Sequence, residues 1–346
     1  MPLLTSNGFF MLNNNDLHYD LLQSELSNLF DSQELQLLLK RNHILTYAAG
    51  ETILQQGKLA DGIYLIISGT VLITAKLLGE GTTNLETLSQ GDFIGEISFF
   101  ENIPCATSVI AASNAQCILL SKMYLEFLSA YFPETKYKLS HAISKQVCTR
   151  LKKMHEKITT FIRNSDMTSQ SLFSEILHSF TKPSEIKLAE AHVDINKLHR
   201  SVFFHTFSEH ELETLMQRSI VLNAAKNCDL LTKNDKKPTC YIVIHGAVQT
   251  SIIHDNKVAK LSVIGPDILF ANIACMEQNP SFNINFTTCE QAIVLKLVDT
   301  ELLNLQHNFS ELWFKVFDLI CRSLIALEKS VDKLDIRLNI EMYNRK

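Results

Sequence analysis

The sequence of 346 residues lacks the patterns that identify most enzymes and metal proteins. Its eight cysteines form no CxxC pair, and they have no metal-ligand spacing with its twelve histidines. The HExxH, GxSxG and GKS/T motifs of metalloproteases, serine hydrolases and P-loop enzymes are also missing. We therefore predict a protein that is not an enzyme, that needs no cofactor, and whose cysteines are reduced and mostly buried thiols.

Long hydrophobic runs are missing as well. No apolar stretch approaches the roughly 18 residues that a membrane span needs, and the longest apolar strand pattern, Ile63–Ile67, ends at Ser68 and Gly69. The amino terminus lacks the basic region and the small-residue cleavage site of a secretory signal. A net charge of −5 disfavours a general nucleic-acid binder. We expect a soluble cytoplasmic protein that neither spans a membrane nor binds DNA.

The chain contains an internal repeat with an offset of 177 residues. Six pairs of identical residues share this separation: Phe30 and Phe207, Leu35 and Leu212, Tyr64 and Tyr241, Gly69 and Gly246, Val71 and Val248, Phe132 and Phe309. Pro104 and Pro280 match at 176, so one residue is lost in a loop of the second copy. A register kept over this length predicts two units of the same fold.

Each unit is predicted to contain a short helix, a series of strands and a long helix. The segments Phe30–Leu35 and Phe207–Leu212 each place a capping residue before a helical apolar stripe. Strand patterns with glycine-marked turns then follow in the first unit at Gly50–Gly57, Asp61–Ile73, Asn84–Leu88, Thr107–Ala111 and Gln116–Leu120. This order predicts an α+β fold in which each unit is a small antiparallel β-roll, or jelly-roll barrel, flanked by helices.

The repeat also predicts where the domains begin and end. We expect an N-terminal tail at 1–16, a first domain at 17–163, a linker at 164–194 and a second domain at 195–346. Five apolar linker residues recur at helical spacing and predict one packed helix: Leu172, Phe173, Ile176, Leu177 and Phe180.

The most distinctive segment of the chain is Leu88–Val109. Gly95 lets the backbone approach a ligand closely, and the run Glu96–Phe100 predicts one short helical turn with free N–H groups at its start. Glu96 is placed to accept hydrogen bonds from ligand hydroxyls. The alternative is that Glu96 only complements the helix dipole.

This segment resembles the phosphate-binding cassette of cyclic-nucleotide-binding domains. The resemblance covers about Leu17–Phe161 strongly and Leu198–Leu327 weakly. It implies that Glu96 contacts the ribose 2′-OH and that Ile73 and Leu85 face the base. It further implies a sugar and phosphate side formed by Gly95, Glu96, Ile97, Ser98, Ala106 and Thr107.

One position departs from the family pattern. The family has a phosphate-pairing arginine nine residues after the glutamate, and this chain has Cys105 there. Loss of a buried cation opposite a phosphate costs about 2–5 kcal/mol, or roughly two to three decades of affinity. We therefore expect the first unit to bind cyclic AMP or cyclic GMP weakly, or to bind a nucleoside. The alternative is a scaffold that binds no ligand and acts as an assembly partner.

The second copy of the cassette has lost each chemical element of the site. Ala271, Asn272 and Ser281 stand where the first copy has Gly95, Glu96 and Cys105. We predict a structural pseudo-domain; the alternative is a second ligand site of changed specificity.

The long helices carry apolar stripes. In the first helix the stripe is formed by Val147, Leu151, Met154, Ile158 and Phe161; in the second it is formed by Ile320, Leu324, Leu327, Val331, Leu334 and Leu338. The second stripe has the spacing of a coiled-coil seam and predicts a homodimer, unless it packs on its own barrel. The basic residues Lys145, Arg150, Lys152, Lys153 and Lys157 are predicted to form a solvated face.

The layout is similar to that of tandem regulatory subunits of cyclic-AMP-dependent kinase. No Arg-Arg-x-small inhibitor segment is found near the amino terminus, however, so kinase inhibition is not predicted. We expect a protein partner that reads the state of the long helices.

Overall fold

The computed structural model describes residues 30–76, 82–164, 173–175, 182–232, 235–254, 257–277 and 284–343. The chain divides into two compact units, Met1–Gln146 and Val147–Lys346, and the boundary falls inside one long helix. Among the described helices, none combines the length and the hydropathy that crossing a membrane requires.

The first unit is a β-roll of two antiparallel sheets. Its described elements are α1 (Ser32–Arg41), β1 (His43–Tyr47), β2 (Thr52–Leu54), β3 (Gly62–Ser68), β4 (Val71–Lys76), β5 (Thr82–Leu88), β6 (Phe93–Ile94), α2 (Glu96–Glu101), β7 (Ser108–Ala111), β8 (Ala115–Ser121), α3 (Lys122–Tyr131) and α4 (Pro133–Asn164), which continues into the second unit. The strand orders are β1-β8-β3-β6 and β2-β7-β4-β5. The predicted fold class is confirmed.

The second unit repeats this arrangement. Its described strands and α-helices are β9 (Phe173–Glu175), β10 (Ser184–Glu185), α5 (Ile195–Arg200), α6 (Glu209–Gln217), β11 (Ile220–Ala224), β12 (Asp229–Leu231), β13 (Thr239–His245), β14 (Val248–His254), β15 (Lys257–Ile264), β16 (Leu269–Ala271), β17 (Asn285–Thr288), β18 (Ala292–Val298), α7 (Asp299–Asn308) and α8 (Ser310–Tyr343). Short 3-10 helices lie at Leu188–Ala191 and at Ile273–Cys275, where the first unit has α2. The strand orders are β10-β11-β18-β13-β16 and β12-β17-β14-β15-β9.

The structure keeps the offset of 177 residues element by element. Strands β1, β2, β3, β7 and β8 and helix α3 have the same bounds as β11, β12, β13, β17, β18 and α7 after this shift. The same ion pair also recurs: Lys138 lies 3.0 Å from Glu34, and Lys315 lies 2.7 Å from Glu211. Each of these glutamates also closes a capping box at the start of its helix. The repeat is therefore a repeat of packing as well as of sequence.

The predicted linker helix is wrong where the structure describes it. Phe173–Glu175 form strand β9, which pairs with β15, and the residues around β9 lie outside the described part of the chain, as does the tail at 1–16. The physical reason is that the end of a sheet offers unpaired backbone groups, and an extended segment satisfies them. Ser184–Glu185 pair in the same way with β11, so the linker adds a strand to each sheet of the second unit.

The apolar stripe of α8 is buried inside the second unit. Its predicted seam residues are at most 5% exposed: Ile320, Leu324, Leu327, Val331, Leu334 and Leu338. The structure supports the alternative that this stripe packs within its own unit, where α8 contacts β15 and β16, so the argument for a homodimer through it no longer holds.

The carboxyl-terminal half of α4 lies against α8 within this unit. Arg150 contacts Glu328 at 3.5 Å, and Lys157 contacts Asp335 at 2.8 Å. The two contacts follow in the same order along both helices, so the helices run in the same direction. Arg150 is only 9% exposed, and its predicted place on a solvated face is also wrong.

Candidate ligand site in the first unit

The cassette begins where β6 pairs with β3 and the chain turns into α2. Gly95 precedes the helix with a φ of 86°, and its carbonyl accepts the first helical hydrogen bond from the Phe99 N–H at 2.9 Å. A Cβ at this position would lie 3.1 Å from the Gly62 carbonyl oxygen and 3.2 Å from Leu54 Cδ1. Glycine is therefore required here both by the left-handed backbone and by the lack of space.

Two polar residues of α2 are buried. Glu96, the first helical residue, is 3% exposed, and Ser98 is 4% exposed. The Ser98 hydroxyl accepts from the Ala60 N–H at 2.9 Å and donates to the Ile103 carbonyl at 2.6 Å. Ser98 thus joins the start of β3 to the end of the cassette, and its proton is used within the chain. Glu96 is thus a buried carboxylate in the first turn of α2, and its contact with a ribose stays a prediction.

Cys105 stands where the family has its cation. Its N–H donates to the Lys58 carbonyl at 2.8 Å, and its carbonyl accepts from the Gly57 N–H at 2.9 Å. Its half-buried side chain packs against the same barrel core as Ile73, so the structure brings these two predicted site residues to one cluster. The position at which the family has its arginine is thus held by a cysteine side chain.

The other predicted site residues lie on β5, on α2 and in the turn before β7. Leu85 is the extra residue of a bulge, because Ile73 pairs with Glu86 and Thr74 pairs with Asn84. Leu85 and Ile97 are half-buried, and so is Thr107, while Ala106 is exposed in the turn before β7. Their roles in binding stay predictions.

In the second unit, the residue at the place of Glu96 makes hydrogen bonds within the fold. Tyr241 pairs with Phe270 as Tyr64 pairs with Ile94, so Ala271 and Asn272 occupy the places of Gly95 and Glu96. The Asn272 Oδ1 accepts from the Thr239 N–H at 3.1 Å, and its Nδ2 donates to the carbonyls of Asp235 and Lys237 at 3.2 and 2.7 Å. These bonds tie down the loop before β13. Ser281 lies outside the described residues.

Residues with positive φ distinguish the glycines whose turns occur in both units from Gly95, which is specific to the cassette. Gly50 and Gly91 have counterparts in Asn227 and Asp267, which keep positive φ values of 61° and 63°. Asparagine and aspartate tolerate this conformation better than other non-glycine residues. The left-handed residue at Gly95 has no such counterpart, because Ala271 belongs to strand β16. The second unit thus has left-handed residues at the same two turns, but it has an extended residue, Ala271, at the place of Gly95.

A stack of three aromatic rings fills the interior of the second β-roll, and the sequence patterns did not reveal it. Tyr241 stacks on Phe270 at 5.1 Å, and Phe270 stacks on Phe286 at 4.8 Å between ring centroids. The stack reaches from the sheet of β13 and β16 to the sheet of β17. The first unit has the smaller Ile94 and Val109 at the places of the two phenylalanines. Comparison of the two copies is the signal that could have found it.

The cysteines are free thiols, as predicted. Burial raises the pKa of the Cys117 thiol, in the core of the first barrel, to about 12. Burial likewise raises the pKa of Cys275 to about 12. Within the described residues, no group of three or more histidine, cysteine, aspartate or glutamate side chains could hold a metal ion. Neither thiol is set up as a nucleophile.

Two β-rolls in tandem, each followed by a long helix, place the chain among the tandem β-roll proteins. Residues 44–130 match the family model described as the cyclic nucleotide-binding domain. The first unit therefore contains a domain of this family, as its cassette predicted.

The chain is similar to known regulators over part of its length. It is 31% identical over 126 residues to the cAMP-activated global transcriptional regulator CRP of Salmonella typhimurium, covering 36% of this chain and 58% of that protein. It is 32% identical over 76 residues to the cAMP-dependent protein kinase regulatory subunit of Colletotrichum orbiculare, covering 22% of this chain and 19% of that protein. The chain thus spans little more than half of the first relative and a fifth of the second.

Two solved structures match over most of the chain. The regulatory domain of Toxoplasma gondii PKA with cAMP has 15% identity and a TM-score of 0.28, covering 88% of this chain and 95% of its own. The regulatory subunit of a cAMP-independent protein kinase A from Trypanosoma cruzi, bound to guanosine, has 12% identity and a TM-score of 0.28. This match covers 99% of the present chain and 95% of that chain. Both TM-scores are below 0.5, so neither structure says anything about the ligand of this chain.

Proposed function

We propose that the first unit is a non-enzymatic sensor for a ribose-bearing ligand and that the second unit is a structural pseudo-domain. The observation that carries this proposal is the left-handed Gly95 followed by the buried Glu96. The backbone at this position admits only glycine, and a buried carboxylate is costly unless it has hydrogen-bond partners. The second unit has the same fold without either of them, so the fold alone does not explain their presence.

The ligand class follows from Cys105. A phosphate buried against this position would meet a thiol and the cassette N–H groups, and it would lack the charge-assisted pair that makes phosphate binding tight. A neutral nucleoside carries no charge, so its binding free energy includes no cost for desolvating a charge at this position. We therefore place a nucleoside first among the ligands and a weakly bound cyclic nucleotide second.

The output of the sensor is assigned to α4. This helix is continuous from Pro133 to Asn164, and it belongs to the first unit up to Gln146 and to the second from Val147. A protein partner that contacts this helix would respond to ligand binding at the cassette. Eight free thiols suit a reducing compartment such as the cytoplasm.

The proposal is tested by calorimetric titration of the whole chain with adenosine, guanosine, cyclic AMP and cyclic GMP. We expect one site per chain, with the nucleosides bound more tightly than the cyclic nucleotides. Glu96→Ala should abolish binding, whereas Asn272→Ala, at the equivalent place in the second unit, should leave binding unchanged. Two sites per chain, or loss of binding in Asn272→Ala with the first unit folded, would contradict the assignment.

A scaffold that binds no ligand is the second candidate. It is favoured by the aromatic stack of the second unit and by the missing cation of the first, since both remove binding capacity. A thermal shift measurement separates the two functions. A scaffold shows no rise in melting temperature with any of the four compounds, and a sensor shows a rise that depends on concentration.

A further inference from the structure

Helix α3 of the first unit carries an exposed apolar stripe. Met123 is 78% exposed and Tyr131 is 72% exposed, and Phe127 lies half-buried between them at intervals of four residues. The adjoining Phe132 is 41% exposed. The face of α3 that packs on the barrel is a different one, formed by Tyr124, Leu125 and Leu128. The two ends of the stripe therefore contribute little to the core of the unit.

Helix α7 of the second unit shows that the fold does not need this stripe. It has the same bounds as α3 after the shift of 177 residues, and it carries Thr300, Asn304 and Asn308 at the places of Met123, Phe127 and Tyr131. Asn308 donates to Asn304 at 2.7 Å, so this face is polar and satisfied within its own helix. The three positions that are apolar in α3 are thus polar in α7, and the exposed apolar residue of α7, Leu303, lies outside them.

The stripe is an ordered cluster of aromatic rings. The Phe127 ring lies 5.3 Å from the Tyr131 ring and 5.5 Å from the Phe132 ring. The Arg41 guanidinium lies over the same Phe127 ring at 5.3 Å from its centroid. Rings held by their neighbours lose little conformational freedom on binding, which is why aromatic and arginine side chains are enriched at the centres of interfaces.

The charges beside the stripe are complementary to each other. Lys122, at the start of α3, has a side chain that is 80% exposed, and Glu134, just beyond the stripe, has one that is 74% exposed. Their contacts within the chain are long, 3.9 Å from Lys122 to Glu126 and 3.7 Å from Glu134 to Lys138. Surface pairs of this kind contribute little to stability and exchange easily. A cation at one end and an anion at the other make the stripe self-complementary about a twofold axis.

We propose that the α3 stripe is a self-association surface on which a second copy of the chain docks in an antiparallel, twofold arrangement. The axis lies near Phe127, so that Met123 of one copy meets the Tyr131 region of the other and Lys122 faces Glu134. The stripe offers only a few large side chains, which is small for a stable dimer. The association is therefore weak and reversible, and it is independent of the ligand and of the buried seam on α8.

Sedimentation velocity over a series of protein concentrations tests the proposal. The double variant Met123→Thr/Tyr131→Asn carries the residues of α7 at the two most exposed positions, and it keeps Phe127 in its packing. We expect it to self-associate at least about tenfold more weakly than the natural chain, since interface energy concentrates in a few aromatic residues. The matched control is Val263→Thr, on an exposed strand position of the second unit, and it should leave association unchanged.

A charge exchange tests the twofold pairing itself. Lys122→Glu and Glu134→Lys should each weaken association, and the double exchange should restore it, because the opposite charges meet again with their places reversed. Far-ultraviolet circular dichroism confirms that these exposed variants fold. A natural chain that stays monomeric at all concentrations, a Met123→Thr/Tyr131→Asn variant that associates as the natural chain does, or a double exchange without restoration would each overturn the proposal.

Discussion

Gln146 of helix α4 holds both backbone polar groups of Phe93 in the cassette strand. Its Oε1 accepts from the Phe93 N–H at 2.7 Å, and its Nε2 donates to the Phe93 carbonyl at 3.0 Å. The strand β6 lies at the edge of its sheet, so this side chain takes the place of a neighbouring strand. At the same position the second unit has Ser323, whose hydroxyl donates to the Ile320 carbonyl of its own helix. The bond between helix and cassette is thus found in the unit that keeps Gly95 and Glu96.

Replacing Gln146 with leucine should loosen the cassette. The Phe93 N–H and carbonyl lose their partner, and each such loss costs about 1–3 kcal/mol in a buried site. Hydrogen exchange should become faster at the amides of Phe93 and Ile94, and the affinity of the ligand should fall. Ser323→Ala is the matched control and should change neither quantity. Unchanged exchange at Phe93 would show that the two bonds are not what orders this strand.

Gly95→Ala should lower both stability and binding. The left-handed backbone costs an alanine about 1–2 kcal/mol, and the new methyl group must displace the Gly62 carbonyl or Leu54. The reverse substitution in the second unit, Ala271→Gly, should cost no more than about 1 kcal/mol, since a strand position loses only backbone order. Denaturant unfolding and ligand titration of both variants check these values. Equal costs in the two units would contradict the role assigned to Gly95.

Cys105→Arg should convert the ligand preference of the first unit. A guanidinium at this place can form a bidentate, charge-assisted pair with a cyclic phosphate, so the affinity for cyclic AMP or cyclic GMP should rise at least tenfold, about 1.4 kcal/mol. The affinity for an uncharged nucleoside should stay level or fall, because the new charge is left unpaired. Cys289→Arg, at a half-buried cysteine of the second unit, controls for the added charge. A folded Cys105→Arg variant without any gain would be evidence for the scaffold function.

The buried pair of Arg150 and Glu328 should show strong coupling. Arg150→Met leaves the carboxylate of Glu328, 2% exposed, without this cation, and such losses cost about 3–5 kcal/mol. The double variant Arg150→Met/Glu328→Leu should recover much of that loss, since neither charge then remains buried. Lys197→Met, which breaks an exposed pair with Asp267, should cost at most about 1 kcal/mol. Additive costs in the double variant would show that the two residues do not act as a pair.

The fold could be predicted from the sequence because its signals are local. Glycine turns, strand alternation and capping residues lie within a few positions of one another, and the capping residues recur in the second copy. The cassette helix from Glu96 was predicted for the same reason. The predictions that failed are those that concern which segments contact each other. The stripe of α8 has a coiled-coil spacing although α8 packs on β15 and β16 of its own unit, and a pattern of this kind cannot distinguish those strands from a helix of a second copy.

The linker and the candidate site also depend on contacts between residues far apart in the sequence. Phe173 has helical spacing to its neighbours, yet its conformation is set by the unpaired backbone of β15, which is more than 80 residues away. Gln146 likewise gives no signal in the sequence, because a glutamine on a half-buried helix face is ordinary and its partner Phe93 is 53 residues away. Contacts between distant segments decide these features, and one sequence without relatives does not record them.

The aromatic stack in the second unit makes the loss of its site difficult to reverse by mutation. Reopening the interior requires smaller residues at both Phe270 and Phe286, and a working cassette would in addition require Ala271→Gly and Asn272→Glu. The changes at Phe270, Phe286 and Asn272 each remove stacking or loop hydrogen bonds, so we expect each of them alone to lower stability. For the proposed pseudo-domain, packed rings in the interior thus allow substitutions on the surface while opposing a stepwise return to a ligand site.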